Sequence, residues 1–195
     1  MRYSYSMATS PEALASEKLR PLRRAEYDRL VGLGMLEGEK LELLYGRLVR
    51  MSPEGERHAF SIVRLTEHLV RALAGRAQVR VQLPLAASDI SEPEPDIAIV
   101  APGDYLDGHP KQALLVIEVA QGSLDEDRSL KAALYCAAGV PEYWIVNLVE
   151  GVIEVYREPR GDSYASVVRH GRDAALAVPG FADVVVAVRD VLPSG

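Results

Sequence analysis

Apolar and polar positions along the chain follow two rhythms, and each change of rhythm marks an element. From Arg23 to Leu33 the residues Tyr27, Leu30, Val31 and Leu33 recur at helical spacing, with Gly32 and Gly34 at the end of a first helix. KLELLYGRLVRM, residues 40–51, switches to alternation on either side of Tyr45 and Gly46 and reads as a hairpin. SPEGERH is a loop into a long helix from His58 to Leu73, with Ile62, Leu65, Leu69 and Leu73 on one stripe and Gly75 as its stop. Strand-like runs follow at 77–85, 95–100 and 113–120. A helix is predicted from Leu124 to Ala138, ended by Gly139, and a sixth strand, EYWIVN, begins after Pro141. Residues 151–157 and 163–169 form a second hairpin, and a short strand near 184–189 closes the order. No internal repeat or low-complexity linker interrupts it. The pattern predicts one α/β domain over residues 21–195, preceded by a loose polar arm over residues 1–20.

Two of the most apolar runs each carry an acid, Asp96 in EPEPDIAIV and Glu118 in ALLVIEVA. If these strands pair antiparallel through the loop between them, opposed residues keep a constant index sum. Asp96 with Glu118 gives 214, as does Val100 with Leu114. Direct pairing puts both carboxylates on one face, while Ile97, Ile99, Leu115, Ile117 and Val119 fill the other as core. Like charges opposed at about 5 Å repel, more so when shielded from water, so a positive group is expected between them. A hard divalent cation such as Mg²⁺, bound by carboxylates, water and substrate phosphate, meets that need. An ordinary reading stays open, in which Asp96 starts a strand at the surface and Glu118 meets an arginine.

Charge and composition narrow the field. The 195 residues are 48% hydrophobic and 26% charged, with a formal net charge of −6, which argues against a protein that simply coats nucleic acid. The single cysteine, Cys136, excludes an intrachain disulfide and reads as a small packed residue. No run approaches the about 18 apolar residues of a membrane helix, and the N-terminus lacks a signal-peptide core, so the expected location is cytoplasmic. No P-loop, GxGxxG after a strand, GxSxG elbow or zinc spacing is present.

Three further residues are candidates. Lys131 lies on the helix after the Glu118 strand, and a βα connection can turn it toward the carboxylates; an exposed pair with Asp127 is the ordinary alternative. Glu42 alternates with Leu41 and Leu43, facing either the site or solvent. His58 opens the long helix as a metal or phosphate contact, or as a capping or surface residue. Arg57, Arg64, Arg71 and Arg76, on or beside that helix, form either a nucleic-acid face or a solvated one.

The strings RLVRMSPEGERHAFSIVRL, VRVQLPL, EPEPDIAIV and LLVIEVAQGSLDEDRSLKAALYCAAGVPEYWIVN resemble the Uma-two family of restriction-endonuclease-like proteins, within the PD-(D/E)XK nuclease superfamily. The resemblance runs from about Arg20 to Val191 and implies a restriction-endonuclease-like mixed β-sheet flanked by helices. It further implies a Mg²⁺- or Mn²⁺-dependent endonuclease acting on DNA. In that frame Asp96 and Glu118 are the two principal acids and bind the metal, Glu42 completes the metal shell, and His58 contacts the shell or the phosphate. The superfamily's usual lysine, two residues after the second acid, is replaced here by Ala120, and Lys131 stands in for it. Gln121, Gly122 and Tyr45 also depart from the residues common in related sequences. A homodimer is expected as well, partly because cutting two strands commonly uses two sites. The apolar strands around Tyr143, Trp144, Ile145, Val155 and Tyr156 offer either an edge for a partner to cover or simply aromatics packed in the core. Two rival classes remain: a non-catalytic nuclease-fold module that binds nucleic acid or a protein, and a structural dimerisation protein.

Overall fold

Short β-branched runs build the centre of the molecule. In the computed structural model, which describes residues 19–51 and 55–194, six strands form one sheet. They are β3 (Gln78–Val81), β4 (Ile97–Val100), β5 (Leu115–Ala120), β6 (Glu142–Asn147), β7 (Val152–Arg160) and β8 (Ser163–His170), adjacent in that order. Every neighbouring pair is antiparallel except β5 with β6, which a helical crossover joins in parallel. Most of the arm expected over residues 1–20, and the SPE of the loop at 52–54, lie outside the described residues.

The strict two-residue period divides the sheet's side chains between two cores. On one face Ile97, Ile99, Leu115, Ile117, Val119, Trp144 and Val146 pack under helix α2 (Glu56–Leu73), through its stripe of Ile62, Leu65, Leu69 and Leu73. The hairpin β9 (Ala175–Val178) and β10 (Phe181–Ala187), with the final turn α5 (Val188–Val191), completes that layer. On the other face Ala98, Val100, Val116, Ala120, Tyr143, Ile145 and Tyr156 lie under the crossover. Burying each such Leu, Ile or Val contributes on the order of 1.5–3 kcal/mol.

The hairpin of β1 (Leu41–Leu44) and β2 (Arg47–Arg50) stands apart as its own sheet and packs on this second face through Leu44. Its turn is seated against the chain before helix α1 (Arg24–Gly32). Gly46 has φ +74°, and a side-chain carbon there would sit 2.2 Å from Pro21 Cβ, so the position requires glycine on both counts. Helix α1 is a surface helix. Of its predicted stripe only Tyr27 is buried, its hydroxyl donating to the Leu41 carbonyl, while Val31 and Leu33 are exposed.

Four expectations change. The strand predicted over 77–85 stops at Val81, because Gln82 turns into the left-handed region at φ +49°. The helix predicted over 124–138 is three pieces: α3 (Leu124–Glu126), a π-helical turn Asp127–Lys131, and α4 (Ala132–Ala137). The C-terminal strand is longer than predicted and pairs with β9, an element whose few apolar residues give too short a period to detect. The aromatic strands proposed as a dimer edge are central: Tyr143, Trp144 and Ile145 on β6 and Val155 and Tyr156 on β7 are buried, and the sheet's edges are β3 and β8. Cys136 is buried and free. No helix among the described residues is long and apolar enough to cross a membrane.

Candidate active site

Strands β4 and β5 pair with Ile97 opposite Ile117 and Ile99 opposite Leu115, the register whose index sum is 214. One step further along, Asp96 meets Glu118, and the two acids extend the ladder through their side chains. The Val119 amide donates to Asp96 Oδ2 at 2.8 Å, and the Asp96 amide donates to Glu118 Oε2 at 3.1 Å. Each carboxylate is thus fixed by the other strand's backbone, which lowers the cost of opposing them.

Helical and hairpin elements on the second face add the remaining groups. Lys131 Nζ donates to Glu118 Oε1 at 3.2 Å and lies 3.4 Å from Glu42 Oε1. The lysine is 9% exposed and Glu42 2%, so neither the surface pair with Asp127 nor a solvent-facing Glu42 describes the fold. Tyr135, one helical turn beyond Lys131, donates its hydroxyl to Glu118 Oε1 at 2.6 Å. His58, buried at the start of α2, has Nε2 3.0 Å from Asp96 Oδ2. Because an ionised carboxylate only accepts, the shared proton belongs on that nitrogen. Gln82, set by its left-handed backbone, reaches Asp96 Oδ1 at 3.4 Å. All five residues singled out from sequence, Asp96, Glu118, Glu42, His58 and Lys131, therefore line one cleft of about 520 Å³.

Sequence reasoning missed Glu94, Glu126 and Asp127, which line the same cleft. The Glu94 amide donates to Glu42 Oε2, and Asp127 accepts a bond from the Ser123 hydroxyl at 2.6 Å. The signals were there: EPEPD carries Glu94 two residues before Asp96, and Asp127, Lys131 and Tyr135 recur at i, i+4 and i+8 on one helical face. The π turn carries two of these inward-facing charges, as such rare turns often do at functional sites.

Electrostatics follow from the crowding. Burial pushes Glu118 up to about 8 against the opposing pull of Lys131, with Asp96 and Asp127 adding to the rise. Burial likewise pushes Asp127 up to about 6 and raises Glu94, the latter helped by Glu42. Burial works to lower Lys131, but Glu118, Glu42 and Asp127 outweigh it and raise its pKa, so the ammonium stays charged. Six carboxylates line the cleft, Glu42, Glu94, Asp96, Glu118, Glu126 and Asp127, against two permanent cations, Lys131 and Arg50. A donor set of hard oxygens with uncompensated negative charge fits a hard divalent ion. Among the described residues no three His, Cys, Asp or Glu side chains already converge as a closed metal shell.

Of the four arginines noted on or beside α2, two are already engaged. Arg64 bonds to the Asp190 carbonyl and lies near Glu67, and Arg76 forks onto Asp183.

A six-stranded mixed sheet flanked by helices is a restriction-endonuclease-like fold. The model of the Uma2 family, described as "Putative restriction endonuclease", matches residues 24–189, and the chain belongs to that family. A crystal structure described as "a putative nuclease belonging to DUF820" from Anabaena variabilis has a similar fold. Its TM-score is 0.60 and its identity 19%, over 77% of this chain and 88% of that one. Among curated proteins, none matches the chain.

Proposed function

We propose that the protein is a nuclease that uses Mg²⁺ or Mn²⁺ to hydrolyse phosphodiester bonds in DNA, with its active site in the cleft at Asp96 and Glu118. The observation that carries this reading is the pairing of these two acids across β4 and β5 in a cleft whose carboxylates outnumber its cations. Family membership and the described nuclease of similar fold support it. Asp96, Glu118 and Glu42 would hold the cation. Mg²⁺ commonly takes one or two protein carboxylates and fills its remaining positions with water and substrate phosphate, which suits acids that do not form a closed shell. Bound there, the ion would supply Lewis acidity to a phosphodiester oxygen.

The chain's own residues then have distinct tasks. His58 and the Val119 amide fix the direction in which Asp96 presents its oxygens. Tyr135 and Lys131 do the same for Glu118. The Lys131 ammonium also offsets negative charge that grows on the phosphoryl oxygens as water attacks phosphorus and the bond to the leaving sugar oxygen breaks. The water's proton passes to solvent or a cleft carboxylate, and the leaving oxygen gains one.

Purified protein with Mg²⁺ or Mn²⁺ should nick supercoiled plasmid, and Asp96→Ala or Glu118→Ala should lower the rate at least ~100-fold, the scale on which removing one electrostatic stabiliser acts. Wild-type rates in both variants would show that any cleavage arises elsewhere. Assembly as a homodimer belongs to the same proposal, because two sites are needed to cut both strands together. The exposed Val167 and Val168 on the edge strand β8 offer an apolar contact. Light scattering near the 21.3 kDa of one chain would rule the dimer out.

A further inference from the structure

We propose that Arg50 is the cleft's grip on its substrate, binding a backbone phosphate adjacent to the one that reacts; the inference rests on the nuclease reading. Two permanent cations line the cleft among the described residues. Lys131 is buried and held by Glu118 and Glu42, so it has little freedom to meet an incoming chain. Arg50 is exposed at the end of β2, and among the described residues no carboxylate lies within ion-pair reach of it. Of the two cleft cations, Arg50 is therefore the one without a carboxylate partner among the described residues. A free guanidinium beside an acid-lined cleft is positioned to offer two parallel N–H bonds to phosphate oxygens, a geometry that ammonium cannot reproduce.

Hairpin register ties this grip to the acids. Arg50 pairs with Leu41, the residue next to Glu42, so one short hairpin carries a carboxylate into the cleft and a guanidinium at its margin. A phosphate held by Arg50 is therefore fixed relative to Glu42. The substrate this selects is a strand with several phosphates, in preference to an isolated phosphodiester.

The test measures fluorescence anisotropy of a fluorescein-labelled DNA duplex with Ca²⁺, a hard oxygen-seeking ion, across a salt series, for wild type, Arg50→Ala, Arg50→Lys and Arg71→Ala. Arg71 is an exposed α2 arginine outside the cleft lining, so its variant removes the same charge elsewhere. Arg50→Ala should weaken binding about tenfold and reduce the salt slope by about one. Arg50→Lys should restore the slope but only part of the affinity, and Arg71→Ala should change affinity about twofold or less. In cleavage assays Arg50→Ala should raise KM for DNA by a larger factor than KM for bis(p-nitrophenyl) phosphate, which has one phosphate. Equal losses in Arg50→Ala and Arg71→Ala, or no binding by wild type, would overturn the proposal. Arg50-dependent binding without cleavage by wild type would uphold it and defeat the nuclease reading. Cleavage with an unchanged KM in Arg50→Ala would do the reverse.

Discussion

Glu118 and Glu154 occupy the same level on the same face of the sheet, each in register with Ile145 from opposite sides. Two strand spacings, roughly 10 Å, separate them. One π turn serves both, Lys131 reaching Glu118 and Arg128 reaching Glu154. Both glutamates are almost fully buried, yet their chemistry runs in opposite directions. For Glu154 burial acts upward, but donors from Arg128, Asn147 and Arg169 prevail and hold it down to about 2. For Glu118 burial prevails and takes it up to about 8. The difference lies in the neighbours. Around Glu154 two arginines face two acids, Glu150 and Glu154, in a balanced cluster. Around Glu118 one lysine faces a crowd of carboxylates. A balanced cluster holds a fold together. An unbalanced one keeps a capacity for positive charge that the chain does not itself supply, which is what a cation site requires.

The strongest challenge to this contrast is removal of its shared cations. Lys131→Ala leaves Glu118 and Glu42 buried without a counter-charge and should cost about 3 kcal/mol, with part of the loss in thermal unfolding temperature recovered on adding Mn²⁺. Arg128→Ala should cost about 1 kcal/mol and show no such recovery, because Arg169 and Asn147 still bond Glu154 and the site is partly exposed. Equal losses, or Mn²⁺ rescue of both, would break the comparison.

Titration sharpens it with a smaller effect. Glu154 lies below its ordinary 4.5, so its stabilising contribution is present above that value and fades as pH falls through about 2. Glu118 lies above 4.5, so its contribution is present below that value and fades as pH rises through about 8. Denaturant unfolding against pH should therefore lose part of its slope between about pH 2 and 4.5 in Glu154→Gln and part of its slope between about pH 4.5 and 8 in Glu118→Gln. Exchange of these two patterns would contradict the assignment.

The smallest expected effect compares two hydroxyls. Tyr135 bonds Glu118 at 2.6 Å and Tyr156 bonds Glu154 at 3.2 Å. Tyr135→Phe should cost about 1 kcal/mol, since Glu118 has few other donors, and should slow nicking several-fold. Tyr156→Phe should cost roughly half as much and leave nicking unchanged, since the guanidiniums already satisfy Glu154. A larger loss from Tyr156→Phe would show that the two clusters are not partitioned in this way.

What the sequence determined by itself is whatever depends on period and neighbouring residues. The two-residue alternation of β4 and β5 set the register, the shared face of Asp96 and Glu118, and the core of Ile97, Ile99, Leu115, Ile117 and Val119, because a strand's geometry leaves side chains no other choice. The stripe of α2 was legible for the same reason, and the specific motifs around the two acids indicated the family. Tertiary structure decided which further charges join that pair. Glu42 reaches the cleft because a separate hairpin packs on the sheet and meets the Glu94 amide there, and the π turn carries both Asp127 and Lys131 buried beneath it. The break at Gln82 depends on a left-handed φ that its strand-like neighbours did not announce. The opposite fates of Glu118 and Glu154 were illegible for a deeper reason. Both read as one acid in an apolar strand, and a carboxylate's pKa is set by summed burial and by charges brought from distant elements, a quantity that exists only once the chain has folded.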